Sequence, residues 1–180
     1  MDAIDLVRRL HQHRVWVNLN LLNTASQLTD SQLRAVYPIG QGSVWKSLVH
    51  LYAAEYVWLE TLLGDEEPLV PGDLPRMIPG NQQGHSPITT IDELRQKWIA
   101  LDHRWEAYLK ALVQDRLEDL VPKKFSLTGQ RVVTRRSDIL LHVCTHSQYT
   151  TAQIMNMLRQ AGVTELPEVM LISMARLENS

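Results

Sequence analysis

Apolar residues recur at spacings of three and four in four long segments of this 180-residue chain, and in little else of it. That period marks amphipathic helices. The first segment runs from about Asp2, an N-cap residue type, to about Ser26, with an inward stripe of Leu6, Leu10, His13, Val17, Asn20, Leu21 and Thr24. In the loop that follows, "TDSQ" (Thr29–Gln32) has the form of a capping box and predicts one or two short turns. The second helix starts after "GQGS", with Ser43 as its cap, and ends near Gly64. One of its stripes is Val44, Leu48, Leu51, Tyr52, Leu59 and Leu62, and the opposite side carries Ser47, Ala53, Ala54 and Val57. A helix apolar over most of its circumference is covered by neighbours on more than one side.

Residues 65–88 hold Pro68, Pro71, Pro75, Pro79 and Pro87 together with Gly72, Gly80 and Gly84, a composition that excludes regular structure. The stretch is longer than a tight antiparallel connection needs. Its length suits a crossover at the end of a bundle, which would make the second and third helices parallel neighbours. The third helix opens on "TIDE" (Thr90 to Glu93), another capping box, and buries Leu94, Trp98, Leu101, Trp105, Tyr108 and Leu112. After Pro122, "KFSLTGQRVVT" alternates on both sides of Thr128-Gly129 and predicts a small β-hairpin. The fourth helix spans about Ser137 to Gln160 and stops at Gly162, and "LPEVMLISMARLE" suits one more short helix. The expected fold is all-α: a single domain over residues 1–180, built as a four-helix bundle with a long Pro/Gly-rich crossover, a hairpin before the fourth helix and a short C-terminal helix.

Composition narrows the partners. With 44% hydrophobic and 21% charged residues the chain has an ordinary globular balance, and a net charge of −2 gives no global positive field for nucleic acid or an acidic membrane. The densest basic cluster, "KKFSLTGQRVVTRR", nearly lacks aromatics for base stacking and reads as a solvated surface. Cys144 is alone, so no internal disulfide forms and a reducing cytoplasm is the natural compartment. The start, "MDAIDLVRRL", lacks the apolar core of a signal peptide, and no apolar run is long enough for a simple membrane span. These features describe a soluble, bacterial-style cytosolic domain.

The stretch that carries chemistry is "HVCTHSQYTT", residues 142–151. On a helical wheel, Ile139, His142, Val143, His146, Thr150, Gln153, Ile154 and Met157 share one broad face. His142 and His146 are therefore expected to point inward, with Thr150 and Gln153 on the same line. Two imidazoles at i, i+4 reach one ion, but a catalytic site needs a third ligand and an open position for water. His50, on the second helix, sits among small residues that suit either a lined cavity or close helix packing. Each histidine taken alone also fits a hydrogen-bonded core residue. Glu55 falls inside an apolar stripe, where a carboxylate needs a partner such as Arg14 or serves as a base. Cys144, about 160° from His146 around the wheel, reads as packing. Trp16, Trp45, Trp58, Trp98 and Trp105 read as core or interface, and His11, His85 and His103 as solvated.

"SLVHLYAAEYVWLETLLG" and "DILLHVCTHSQYTTAQIMNMLRQAGV" resemble the two signature segments of the DinB/YfiT-like family of four-helix-bundle candidate metalloenzymes. The order of helices, Pro-rich crossover and hairpin is similar over nearly the whole chain. The family's C-terminal pattern is roughly H-x-x-x-H-x-x-x-H-R-G-Q. The resemblance implies a metal held by His50, His146 and the position of Thr150, so two ligands match and the third does not. Thr151 and Ala152 replace the family's Arg-Gly, while Gln153 matches. A threonine hydroxyl is a poor ligand beside imidazole. Three repairs stay open: His142 as the substitute, His13 and Asn20 from the first helix, or water. Loss of the metal is the fourth reading, with the pocket's polar groups bonded to one another.

The resemblance further implies zinc or nickel, used either to activate a low-molecular-weight thiol for transfer to an electrophile or in hydrolysis. The alternatives are a small-molecule-binding bundle without catalysis and a structural homodimer that pairs through exposed helices.

Overall fold

The computed structural model describes residues 2–179. Helix α1 spans Ala3–Ala25, α2 Asp30–Arg34, α3 Val44–Leu63 and α4 Ile91–Ala111; a 3-10 turn at Gln114–Glu118 precedes β1 (Leu120–Lys124) and β2 (Arg131–Arg135), then α5 (Arg136–Gln160) and α6 (Leu171–Leu177). The local signals act as their chemistry dictates. Asp2 caps α1 by accepting from the Asp5 amide at 3.0 Å, and Thr29 and Gln32 form the reciprocal capping box of α2. The Ser43 hydroxyl accepts from the Lys46 amide at 3.1 Å at the start of α3. At α4 the box is displaced by one residue: Thr90 accepts from the Glu93 amide at 3.2 Å, but Glu93 reaches back to the amide of Thr89 at 3.1 Å. Helix α5 ends in a left-handed Gly162 (φ +89°), with the Val163 amide closing on the Leu158 carbonyl at 3.0 Å.

The chain forms two compact units, Met1–Leu48 with Cys144–Ser180, and Val49–Val143. In the first unit the buried residues of α1 are Ile4, Val7, His11, His13, Arg14, Val17, Asn18, Leu21, Leu22 and Ala25. The expected stripe is buried at His13, Val17 and Leu21 but not throughout: Leu6 is 53% exposed, Asn20 and Thr24 are half-buried, and His11, expected in solvent, is buried. The reason is that α1 carries apolar residues around most of its girth, so spacing alone leaves two stripes open. The tail returns along α1. Arg9 donates both guanidinium ends to the Glu178 carboxylate at 2.8 and 2.6 Å, and the Asn20 amide donates to the Glu168 carbonyl at 2.9 Å.

In the second unit, α3 and α4 run parallel. Tyr52 meets Trp98 edge to face with centroids 5.9 Å apart, and one and two turns on Arg104 lies over Tyr56 and pairs with Glu60 at 2.6 Å. Contacts that advance together on both helices fix that direction, as the length of the crossover implied. The core here includes Leu51, Ala53, Leu59, Leu94, Trp98, Leu101 and Trp105. Glu55, 1% exposed, is among them, and the Trp98 indole donates to its carboxylate at 2.9 Å. Glu55→Ala strands that indole N–H and vacates core volume. It should lower unfolding stability in urea by about 3 kcal/mol, and a loss under ~1 kcal/mol would show that the carboxylate has no structural role.

The hairpin pairs Val121 with Thr134, Pro122 with Val133 and Lys124 with Arg131. Its first strand therefore lies before the expected one and contains Pro122, which a two-stranded edge tolerates. Thr128-Gly129 does form the turn, with Gly129 at φ +69°, but inside the longer loop Phe125–Gln130 that the Phe125 amide closes on the Gln130 carbonyl at 2.9 Å. Of the basic cluster, Lys124 pairs with Glu67, Arg131 with Glu66, Arg135 with Glu118, and Arg136 with Asp119. Arg136 is buried and also donates to the Tyr108 hydroxyl and the Leu62 carbonyl at the end of α3. No helix is long and apolar enough to cross a membrane among the described residues.

Candidate histidine centre

His50 is half-buried on α3 and is seated by the crossover. Its Nδ1 lies 2.8 Å from the Pro79 carbonyl oxygen. A carbonyl only accepts, so Nδ1 carries the proton and Nε2 bears the ring's lone pair. Metal-binding histidines use this arrangement, one nitrogen bonded to a carbonyl and the other turned to the ion. The approach depends on Gly80 (φ +87°): a Cβ there would lie 2.8 Å from the His50 Cα and 3.0 Å from its amide nitrogen.

The crossover is irregular, as its composition requires, yet tightly ordered. Buried Asp73 accepts from the Gly80 amide at 2.6 Å, the Gln82 amide at 2.9 Å and the Gln82 side chain at 2.7 Å. Asn81 binds the Leu74 amide and carbonyl at 3.0 and 3.1 Å. Sequence reasoning missed Asp73, Asn81 and Gln82; the usable signal was polar residues of turn-forming type interleaved with prolines.

On α5, His146 is half-buried, Thr150 is buried at 2% exposure, and Gln153 is half-buried. The Gln153 side chain lies against Gly40, where a Cβ would stand 2.3 Å from its Oε1. Cys144 is buried, as a packing residue should be. His142 departs from expectation: it is exposed, with its ring edge-on to Trp58 at 5.3 Å. Loss of hydration where Trp58 covers the ring lowers its pKa. The wheel placed it inward because it shares a broad face with buried Val143 and Ile139, and it lies at that face's edge. Lys123, buried, holds its ammonium 5.6 Å from the centroid of the same indole, and burial lowers its pKa.

His13 is buried but occupied elsewhere: its Nε2–H donates to the Val169 carbonyl at 3.0 Å, and its ring stacks on Trp16 at 6.0 Å. Burial, opposed by that hydrogen bond and aided by nearby Arg9, lowers its pKa below 6.5. A histidine kept neutral by folding stabilises fully above its unfolded pKa and loses that contribution as pH falls through 6.5 toward the folded value. Amides of Val169–Leu177 should therefore exchange faster, after correction for intrinsic rate, at about pH 5.5 than at about pH 7.5. His13→Gln should flatten the difference, and an unchanged pH response in that variant would remove His13 as its origin.

Among the described residues, no group of three or more His, Cys, Asp or Glu is placed to hold a metal ion. His50 has the orientation of a ligand, whereas the buried hydroxyl of Thr150 lacks the donor strength of one. Elsewhere in the second unit a cleft of about 370 Å³ opens between the crossover and the hairpin loop, lined by Val57, Leu74, Met77, Pro79, Phe125 and Leu127.

Comparison with known proteins places these features. The chain is 23% identical over 170 residues to Protein DinB of Bacillus subtilis (strain 168), covering 91% of this chain and 90% of that protein. Its fold matches that of YfiT from Bacillus subtilis, described as a probable metal-dependent hydrolase with an unusual four-helix bundle topology, at a TM-score of 0.66, with 20% identity and 90% of each chain covered. A DinB-like protein from Bacillus cereus matches at a TM-score of 0.62, with 17% identity over 89% of this chain and 95% of that one. These likenesses establish the four-helix-bundle fold that the hydrophobic pattern anticipated. The model of the DinB superfamily matches residues 14–154, a span containing α3 and most of α5. The chain belongs to the DinB superfamily.

Proposed function

We propose that this chain is a DinB-superfamily protein that keeps in its sequence only two of the family's three metal-ligand histidines, His50 and His146, and that it acts by binding a small molecule rather than as a resident-metal enzyme. The observation that carries this reading is Thr150: a buried, neutral hydroxyl at the third ligand position of the family. The cleft of about 370 Å³ favours a small-molecule role, being of ligand size and lined by apolar side chains together with the charged Glu67, Arg76 and Lys124. The exposed Leu6 of α1 and Ile172 and Leu177 of α6 offer apolar surface for a homodimer, which sedimentation would detect.

The competing reading is a divalent-metal thiol S-transferase or hydrolase using zinc or nickel, with His142 as third ligand. The metal-dependent hydrolase description of YfiT favours it, and the exposed position of His142 against Trp58 weighs against it. A thiol-transfer assay with zinc or nickel added separates the two. The proposal expects no acceleration over a His50→Ala/His146→Ala variant, and an acceleration lost in that variant would overturn it.

A further inference from the structure

One peptide group links a buried carboxylate to the His50 ring. The Gly80 N–H donates to Asp73 Oδ2 at 2.6 Å, and the carbonyl of the same Pro79–Gly80 peptide accepts from His50 Nδ1 at 2.8 Å. A peptide unit is planar and its N–H and C=O are conjugated, so the two bonds share one rigid, polarisable group. A carboxylate drawing on the N–H makes the carbonyl oxygen a stronger acceptor.

We infer that Asp73 is a positioning residue that acts on His50 through the Pro79–Gly80 peptide, fixing the Nδ1–H tautomer. The arrangement is the carboxylate–histidine pair of metal and catalytic sites with one peptide inserted between its members. This inference rests on the reading of His50 as the functional imidazole. Three features of the crossover serve the relay. Asp73 is 7% exposed, so water competes little for its oxygens. Its second oxygen is held by the Gln82 amide and side chain, which orients the carboxylate. Gly80 and Gly84 leave no Cβ where His50 and the Asp73 carbonyl come within 3 Å.

The test is ring ¹⁵N NMR of His50 in metal-free protein at about pH 8. The wild type should show a single Nδ1–H tautomer. Asp73→Asn should give a mixture, and Asp73→Ala a larger share of Nε2–H. Asn81→Ala, which loosens the crossover without touching the relay peptide, should leave the tautomer unchanged. An Nε2–H tautomer in the wild type overturns the relay, as does an unchanged tautomer in both Asp73 variants or an equal change in Asn81→Ala. If Asp73→Ala does not fold, the near-isosteric Asp73→Asn and the wild type still decide. Cobalt(II) titration is read separately. Should the wild type bind the ion, the Asp73 variants should lose about ten- to a hundred-fold in affinity. No binding with the tautomer effect intact retires His50 as a metal ligand and keeps the relay.

Discussion

Thr150→His should raise affinity for zinc or nickel by roughly two orders of magnitude or more, because it restores the third of the histidines that the family likeness assigns to the metal. The geometry on α5 is favourable. Positions 146 and 150 are four apart on one continuous helix, so their side chains rise from the same face about 5–6 Å apart at Cβ. Thr150 is 2% exposed, however, and an imidazole is larger than a threonine side chain. The metal-free variant should therefore be less stable than the wild type by about 1–3 kcal/mol, the usual cost of overfilling a packed site. Added zinc should restore the melting temperature, since an ion that binds only the folded state stabilises it. Competition titration against a chromophoric chelator measures the affinity. An affinity unchanged from the wild type would mean that this position does not face the ion and that the family's ligand scheme does not apply here.

Gly80→Ala should be the most damaging small substitution in the crossover, costing about 2–4 kcal/mol. Two effects add. A left-handed backbone costs a non-glycine residue about 1–2 kcal/mol. The new methyl would also meet backbone atoms, the His50 Cα at 2.8 Å and the Val49 carbonyl at 3.1 Å, which cannot turn aside as a flexible side chain would. Relief requires the strap to lift from α3, stretching the bond between His50 and Pro79. Gly129→Ala is the matched control: it has a similar φ of +69° but nothing within 4 Å, so only the conformational cost of about 1 kcal/mol remains. Equal losses for the two variants in urea unfolding would show that the close approach at His50 carries no energy.

How much of this was legible in the chain follows from which signals are local. Helix ends were readable because Asp2, Thr29, Ser43 and Gly162 act on backbone groups within a few residues. The α4 stripe was readable because Leu94, Trp98, Leu101 and Trp105 stand out against polar neighbours. The inward face of α1 was readable only in part: Val17 and Leu21 are buried as expected, but His11 and Asn18 are buried where a polarity pattern places them in water. The crossover was read only as irregular. Its order comes from Asp73, Asn81 and Gln82 bonding to backbone up to eleven residues away, which periodicity does not encode. His146 stood out through its helical spacing from His142 and His50 through its small neighbours, whereas the role of position 150 came from family likeness alone. The orientation of the His50 ring and the diversion of His13 to Val169 depend on segments brought together only by folding.

Metal content by elemental analysis of untagged protein, beside a His50→Ala/His146→Ala variant, tests the central claim most directly. Zinc and nickel far below one per chain, and no higher than in the variant even after soaking and desalting, is the expected result. Near-stoichiometric metal that disappears in the variant would contradict it, showing that another group completes the centre despite Thr150.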